Sequence, residues 1–251
     1  MRKVIYENDT INIDSGIFFG RGVFETILVK NTPVFLKEHI KRLNNAILEF
    51  NLGKLISIED VAFFINKYNI KNKALKIVVT EKNLIYSIRE IKYKDSDYKE
   101  GFKVSISKVL RNSTSRIVNF KTLNYLENII EYELCQRNGY NESIFFNEEG
   151  NLCEGCTSNI FIVKDKFIYT PPTKCGLLPG IVRSWVIDSF DVIEKNITKE
   201  ELLNSDEVFL TNSLVGVIKV SNIENKLFKN EVIEKIKKQY DKQINGGQND
   251  E

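Results

Sequence analysis

The chain has 251 residues, 42% of them hydrophobic and 28% charged, with a formal net charge of +2. That length and apolar content allow a sizeable core, and the near-balanced charge argues against a dedicated nucleic-acid surface, which needs a clustered basic excess. No apolar run approaches the roughly 18–20 residues of a membrane helix, and the N-terminus turns polar too early for a signal-peptide core. The expectation is a soluble, cytoplasmic protein with no nucleic-acid or membrane partner. Four cysteines, Cys135, Cys153, Cys156 and Cys175, read as free thiols in a chain long enough to need no staples.

In chain order, residues 3–6 and 10–13 carry strand formers, and Asp14-Ser15-Gly16 is turn chemistry. Residues 22–31 alternate, with Val23, Glu25 and Ile27 opposing Phe24, Thr26 and Leu28; after a turn at Asn31-Thr32-Pro33, residues 33–36 are expected to return as a partner strand. Ile40, Leu43, Ile47 and Phe50 mark a helix over 37–50. A second helix, over 57–68, opens on Ser57 and Asp60 at capping-box spacing. Strands are expected at 74–81, 84–91 and 102–109. The polar stretch 111–119 is poor in structure formers and marks a domain boundary. Beyond it, Leu123, Leu126, Ile130 and Leu134 form an apolar stripe on a helix over 122–137, stopped by Gly139. Strands at 142–147, 158–163 and 167–170, a helix at 181–190 and a short helix near 199–204 follow. EVFLTNSLVGVIKVSNI reads as strand, turn and strand, and a last helix over 230–244 ends in NGGQNDE, a frayed tail. Runs of strands with segregated helices make an α+β pattern.

Several chemistries are missing. One histidine, His39, supplies no multi-histidine metal site. No GxSxG, Walker GxxxxGK[ST] or GxGxxG occurs, and the glycines of GRGVFE open a strand. The positive candidates are scattered. Lys121 lies at the start of the helical segment among Phe120, Leu123 and Tyr125, neighbours that favour the partly desolvated amine of Schiff-base chemistry; the plain alternative is a solvated charge. Glu154 stands in the small-residue loop CEGCTSN, where a flat ring could approach, and a carboxylate facing a pyridine nitrogen keeps it protonated. Cys153 and Cys156 form a CxxC, but lack the second ligand pair of a zinc site and the helix start of a redox motif. Arg42, one turn after His39, is either a solvated helical arginine or a planar fork for phosphate. Gly180-Ile181-Val182 opens a helix whose amides could meet the same anion, and Thr211-Asn212-Ser213 can add a hydroxyl and further amides.

Taken in order, FGRGVFET, LKEHIKRL, KTLNYLEN, EGCTSNIF, YTPP with GLLPGIVR, and FLTNSLVGVIKV resemble the class IV (fold-type IV) pyridoxal-phosphate enzymes, among which are branched-chain and D-amino-acid aminotransferases and aminodeoxychorismate lyases. The resemblance covers nearly the whole chain. It implies an α+β, two-domain fold like that of D-amino-acid aminotransferase, with residues 1–113 an N-terminal α+β domain and 114–251 a C-terminal α/β domain carrying the catalytic lysine. It implies a homodimer, with pyridoxal 5'-phosphate at the domain interface. Lys121 would form the Schiff base and shuttle protons, and Glu154 would meet the ring nitrogen. Arg42, the amides of Ile181 and Val182, and Ser213 with the Leu214 amide would hold the phosphate; position 182 is often threonine in relatives, so here only its amide remains. The D-amino-acid enzymes carry an Arg and a His after the strand equivalent to 76–80, whereas TEKNLIYSIRE has no histidine. The Lys121–Tyr125 segment and TNSLVGV look most like aminodeoxychorismate lyase, which releases pyruvate and forms 4-aminobenzoate for folate synthesis. The alternative is an aminotransferase acting on branched-chain or D-amino acids with 2-oxoglutarate. Thr26, Arg89 and Asn212 are the substrate-facing candidates.

Overall fold

The computed structural model describes residues 2–7 and 10–245, which form two compact units. The first comprises residues up to 92 together with 120–126. It contains β1 (Lys3–Tyr6), α1 (Ser15–Phe19), β2 (Gly22–Val29), α2 (Leu36–Glu49), α3 (Ile58–Lys67), β3 (Lys73–Thr80) and β4 (Asn83–Arg89). The sheet order is β1-β4-β3-β2, with β1 parallel to β4 and the other pairs antiparallel. Alternation decides its two faces. Val23, Ile27, Leu75, Ile77, Val79 and Tyr86 point into a core with Ile40, Leu43 and Ile47 of α2 and Val61, Phe64 and Ile65 of α3. The opposite face carries Phe24 and Thr26 of β2, Lys76 of β3, and Ser87 and Arg89 of β4.

Several expectations are corrected in this unit. Residues 10–13 form no strand, and the Asp14 turn is instead the N-cap of α1, whose carboxylate accepts from Gly16 N–H, Thr80 Oγ1 and Asn83 Nδ2. Residues 33–36 pair only through a Val29–Pro33 bridge, because Phe35 takes a left-handed conformation (φ 52°) and turns the chain straight into α2. That conformation is uncommon for a bulky residue. Ser57 caps α3 by accepting from Asp60 N–H at 3.0 Å. The helix expected from 122 starts at Leu126, because residues 121–123 pair with β2.

The second unit comprises residues 93–119 and 127–245 of the described chain. Its elements are α4 (Asp95–Glu100), β5 (Phe102–Arg111), α5 (Leu126–Arg137, from its second residue onward), β6 (Glu142–Asn147), β7 (Leu152–Gly155), β8 (Asn159–Lys164) and β9 (Phe167–Thr170). They continue, after a 3₁₀ turn at Thr173–Cys175, with α6 (Ile181–Ser189), β10 (Val192–Glu194), α7 (Lys199–Leu203), β11 (Glu207–Asn212), β12 (Gly216–Ile223), β13 (Lys226–Leu227) and α8 (Glu231–Asn245). The sheet order is β10-β9-β8-β11-β12-β5-β6-β7, and β7 also pairs with β8 through Glu154 and Asn159. That pairing closes β8, β11, β12, β5, β6 and β7 into a ring around a core of Val104, Ile144, Leu152, Ile160, Leu210 and Ile218. Strand β5, grouped with the first half on sequence, pairs with β6 and β12 and is part of this ring. The short elements α4, β7, β10 and β13 carry too few residues for a period to show. The expected frayed tail, from 246 on, lies outside the described residues. No helix among the described residues is long and apolar enough to cross a membrane.

Helix α5 inverts its expected packing. Leu126, Ile130 and Leu134 are exposed, and the buried side is Asn128 and Cys135 with Tyr132 against the Cys153 and Cys156 thiols. The polar anchor explains the inversion: Asn128 Nδ2 donates to Cys156 O at 2.7 Å. A buried amide with a partner fixes a helix face more specifically than an interchangeable leucine does.

Candidate active site

In the first unit, backbone pairing fixes Lys121. Its carbonyl accepts Phe24 N–H at 2.9 Å, Gly22 O accepts Leu123 N–H at 2.9 Å, and Thr122 bridges Val23. Residues 121–123 thereby extend the outer edge of β2 in antiparallel register, which puts the Lys121 side chain on the Phe24 face. Its Nζ lies 4.6 Å from the centre of the Phe24 ring and 5.0 Å from that of Tyr125. Those rings meet edge to face at 5.3 Å. The side chain is half-buried, and cation–π attraction holds the amine between two aromatic walls.

Arg42 is fixed from the other face of β2. Glu25, 1% exposed, accepts Arg42 Nε at 2.7 Å, Arg42 Nη2 at 2.8 Å and His39 Nδ1 at 2.7 Å. A carboxylate only accepts, so His39 carries its proton on Nδ1. Burial alone would raise the Glu25 pKa, but the charges and hydrogen bonds of Arg42 and His39 outweigh it and hold the carboxyl well below its usual range. The guanidinium is thus locked along one edge of its fork, in the bidentate geometry that suits arginine. Glu25 and His39 were not singled out as functional on sequence. The signal was there: alternation puts Glu25 on the apolar face, and one helical turn separates His39 from Arg42.

In the second unit, Glu154 sits where the ring of strands closes. Its Oε2 accepts Leu178 N–H at 3.0 Å, and its Oε1 is 3.7 Å from Arg111 Nη2. Arg111 stacks on Phe145 at 3.9 Å and donates to Glu127 at 3.0 Å. A buried carboxylate beside a guanidinium favours its ionised form, the form that can keep a pyridinium protonated. The loop after Glu154 hangs on a second carboxylate. Glu142, 1% exposed, accepts on Oε2 from Thr157 N–H at 3.1 Å, Thr157 Oγ1 at 2.7 Å and Ser158 Oγ at 3.0 Å. Burial pushes its pKa up, against those hydrogen bonds. Gly155 is required there, because a Cβ would lie 2.4 Å from Ser158 Oγ. Arg111 and Glu142 escaped the sequence reading because each lies far along the chain from the loop it supports.

Asn159 Nδ2 donates to Leu178 O at 2.8 Å, so Leu178 is gripped through both its amide and its carbonyl. Gly180 follows as N-cap of α6, and a Cβ there would sit 1.9 Å from Asn159 Oδ1. No side chain caps this helix, which leaves the amides of Ile181 and Val182, its first two residues, as donors at a helix start. Thr211 Oγ1 is likewise buried without a hydrogen-bond partner. Ser213 and Leu214 lie in the β11–β12 turn, where the Leu214 amide donates to Asn212 Oδ1 at 2.9 Å. Asn212 also takes the Val215 amide at 2.8 Å, which makes it the cap of that turn. Thr26 and Arg89 lie on the Lys121 face of the first unit's sheet.

The CxxC does not make a thiol site. All four cysteines are free and buried, and Cys153 Sγ donates to Cys175 O at 2.9 Å. Burial pushes the Cys153 and Cys156 thiols up, away from the thiolate that nucleophiles and zinc ligands need. Among the described residues no group of three or more His, Cys, Asp or Glu side chains could hold a metal ion.

The first unit therefore offers a shielded amine and a locked guanidinium. The second offers a carboxylate beside a guanidinium, helix-start amides without a side-chain cap and an orphan buried hydroxyl. Those are the groups that a phosphorylated pyridine aldehyde requires, and the donor set fits pyridoxal phosphate. Comparison with known proteins agrees. The profile of the amino-transferase class IV family matches residues 22–223. The chain is 28% identical to a Methanocaldococcus jannaschii protein provisionally assigned as a branched-chain-amino-acid aminotransferase, over 90% of this chain and 86% of that one. It is 27% identical to the aminodeoxychorismate lyase of Bacillus subtilis, over 84% and 80%, and 28% identical to the D-alanine aminotransferase of Bacillus licheniformis, over 84% and 82%. A crystal structure from Legionella pneumophila, provisionally assigned as a 4-amino-4-deoxychorismate lyase, superposes with a TM-score of 0.87 at 27% identity, covering 96% of this chain and 98% of the other. The chain belongs to the class IV amino-transferases and is a pyridoxal-phosphate-dependent enzyme.

Proposed function

We propose that the protein is a 4-amino-4-deoxychorismate lyase, a cytoplasmic homodimer that releases pyruvate and leaves 4-aminobenzoate for folate synthesis. The observation that carries this reading is the likeness to the Legionella pneumophila chain, which spans nearly the whole of both proteins at 27% identity. The β3–β4 turn, Glu81-Lys82, contains no Arg–His pair of the kind expected for a D-amino-acid enzyme. Exposed Ile130 and Leu134, one helical turn apart on α5, support the dimer, since an apolar helix face left open to solvent marks an interaction surface.

Pyridoxal phosphate, when bound, withdraws electrons from the substrate carbon that bears the amine. Lys121 Nζ would hold the cofactor aldehyde and, as a free amine, would remove the proton from that carbon. The Phe24 and Tyr125 rings flank the amine. The same ammonium returns its proton to the methylene carbon of the departing enolpyruvyl group, giving pyruvate as the ring becomes aromatic. Atoms balance without water or a second substrate. Glu154, beside Arg111, would hold the ring nitrogen protonated. Arg42, the Ile181 and Val182 amides, Ser213 and the Leu214 amide would hold the phosphate. Thr26, Arg89 and Asn212 are the proposed substrate contacts.

The test is aminodeoxychorismate supplied to the purified holoenzyme without any keto acid. Equimolar 4-aminobenzoate and pyruvate are expected. No product there, together with amino transfer from valine or alanine to 2-oxoglutarate, would replace the lyase reading with an aminotransferase.

A further inference from the structure

Glu142 opens β6 as a buried carboxylate that no step of the lyase reaction uses. Burying a carboxylate is costly unless its oxygens find donors. Here both do. Oε1 accepts Ser143 N–H at 3.1 Å, while Oε2 accepts Thr157 N–H at 3.1 Å, Thr157 Oγ1 at 2.7 Å and Ser158 Oγ at 3.0 Å. Burial raises the Glu142 pKa, and these bonds favour the charged form against it. Each oxygen takes a backbone amide, and an amide, unlike a hydroxyl, cannot rotate to become an acceptor. Glutamine would set its NH2 group against one of those amides. Aspartate is one methylene shorter and cannot keep both. The position asks for glutamate in particular.

What the carboxylate holds is the turn over residues 155–158. Cys156 pins the same turn from two more sides: its N–H donates to Ser143 O at 2.9 Å, and its carbonyl accepts Asn128 Nδ2 at 2.7 Å. Gly155 packs directly on the carboxylate, since a Cβ there would lie 3.1 Å from Glu142 Cδ. On either side of the turn stand Glu154 and Asn159, which pair across β7 and β8. Those two side chains grip Leu178 by its amide and its carbonyl, and α6 begins soon after, at Ile181. The turn therefore sets where the Glu154 carboxylate stands relative to the helix start. Those groups are proposed for the two ends of the cofactor, its ring nitrogen and its phosphate. A carboxylate that meets a flat ring at one atom gains from being fixed before the ring arrives.

We propose that Glu142 is a positioning residue for the cofactor: it fixes the 155–158 turn and, through that turn, aims Glu154 at the ring nitrogen. Glu142 itself touches no reacting atom. Its loss lets the turn relax and takes the Glu154 carboxylate out of line with the nitrogen, whatever the fold as a whole does. The inference rests on the reading of Glu154 as the partner of the ring nitrogen, and it names the group that holds that partner in place.

The experiment titrates the full-length apoenzymes of the wild type, Glu142→Gln, Thr157→Val and Glu154→Gln with two ligands. One is pyridoxal phosphate; the other is its 1-deaza analogue, in which C–H replaces the ring nitrogen. Dissociation constants are read by equilibrium dialysis. The analogue leaves Glu154 facing a group that cannot donate, so the wild type is expected to prefer pyridoxal phosphate by about tenfold or more. Glu142→Gln should narrow that preference to within about threefold by weakening pyridoxal phosphate alone. Thr157→Val removes one donor and keeps the carboxylate; it should narrow the preference in the same direction, and it decides if Glu142→Gln does not fold. Equal losses for both ligands, or a full preference retained by these variants, overturn the positioning and leave Glu142 a support of the fold. A wild type without preference overturns it as well. Glu154→Gln separates the two readings. If it erases the preference while the Glu142 and Thr157 variants keep it, the positioning alone fails. If it keeps the preference, Glu154 is not the partner of the nitrogen, and the positioning falls with it.

Discussion

Glu25 concentrates three functions in one carboxylate: it neutralises Arg42, fixes the His39 tautomer and fills a polar gap in an apolar face. Because its folded pKa lies below the ordinary value of 4.5, its contribution is fully present above that value and is lost as pH falls through 4.5 toward the lowered one. Glu25→Gln is therefore expected to cost about 3 kcal/mol at neutral pH, since it leaves a partly buried guanidinium without its counter-charge. It should also flatten the acid limb of stability. Melting temperatures of both proteins between about pH 3 and pH 7 check this; parallel acid limbs would show that Glu25 is not the group being titrated. Lys121, Glu154 and Arg42 could be picked from the sequence because their types and local context point to chemistry. Glu25 was passed over although alternation puts it on the apolar face, because the helix that supplies its partners is known only from the fold.

At the scale of elements, the periodic helices α2, α3 and α8 and the hairpin strands were legible because burial decides their pattern. Helix α5 was legible as a helix and misread as to its inner face. Its Leu126, Ile130 and Leu134 keep a regular stripe, yet the stripe faces outward, at 70%, 52% and 48% exposure, while Asn128 and Cys135 face inward. Periodicity reports that a helix has an apolar face; it does not report what covers it. If the covering surface is a second copy of the chain, Ile130→Glu places an uncompensated charge in that interface and should convert a dimer to a monomer, with the far-ultraviolet circular dichroism unchanged. Sedimentation equilibrium decides: a wild type that is already monomeric, or a variant that still dimerises, contradicts the assignment. The segment 121–123 was misread for the opposite reason. Its pairing with β2 is long-range, and no local period encodes it.

For the whole molecule, the order of chemically loaded segments along the chain was more informative than any one of them, and the class IV family profile spans the same stretch, residues 22–223. The substrate was not legible in that order. The central claim is that Lys121, held between Phe24 and Tyr125, is the residue to which pyridoxal phosphate attaches. Borohydride reduction of the holoenzyme followed by peptide mass spectrometry tests it most directly. A phosphopyridoxyl group on the peptide containing Lys121, and none after Lys121→Ala, is the result expected. The label on another lysine, or a holoenzyme that carries no reducible attachment, would contradict the account.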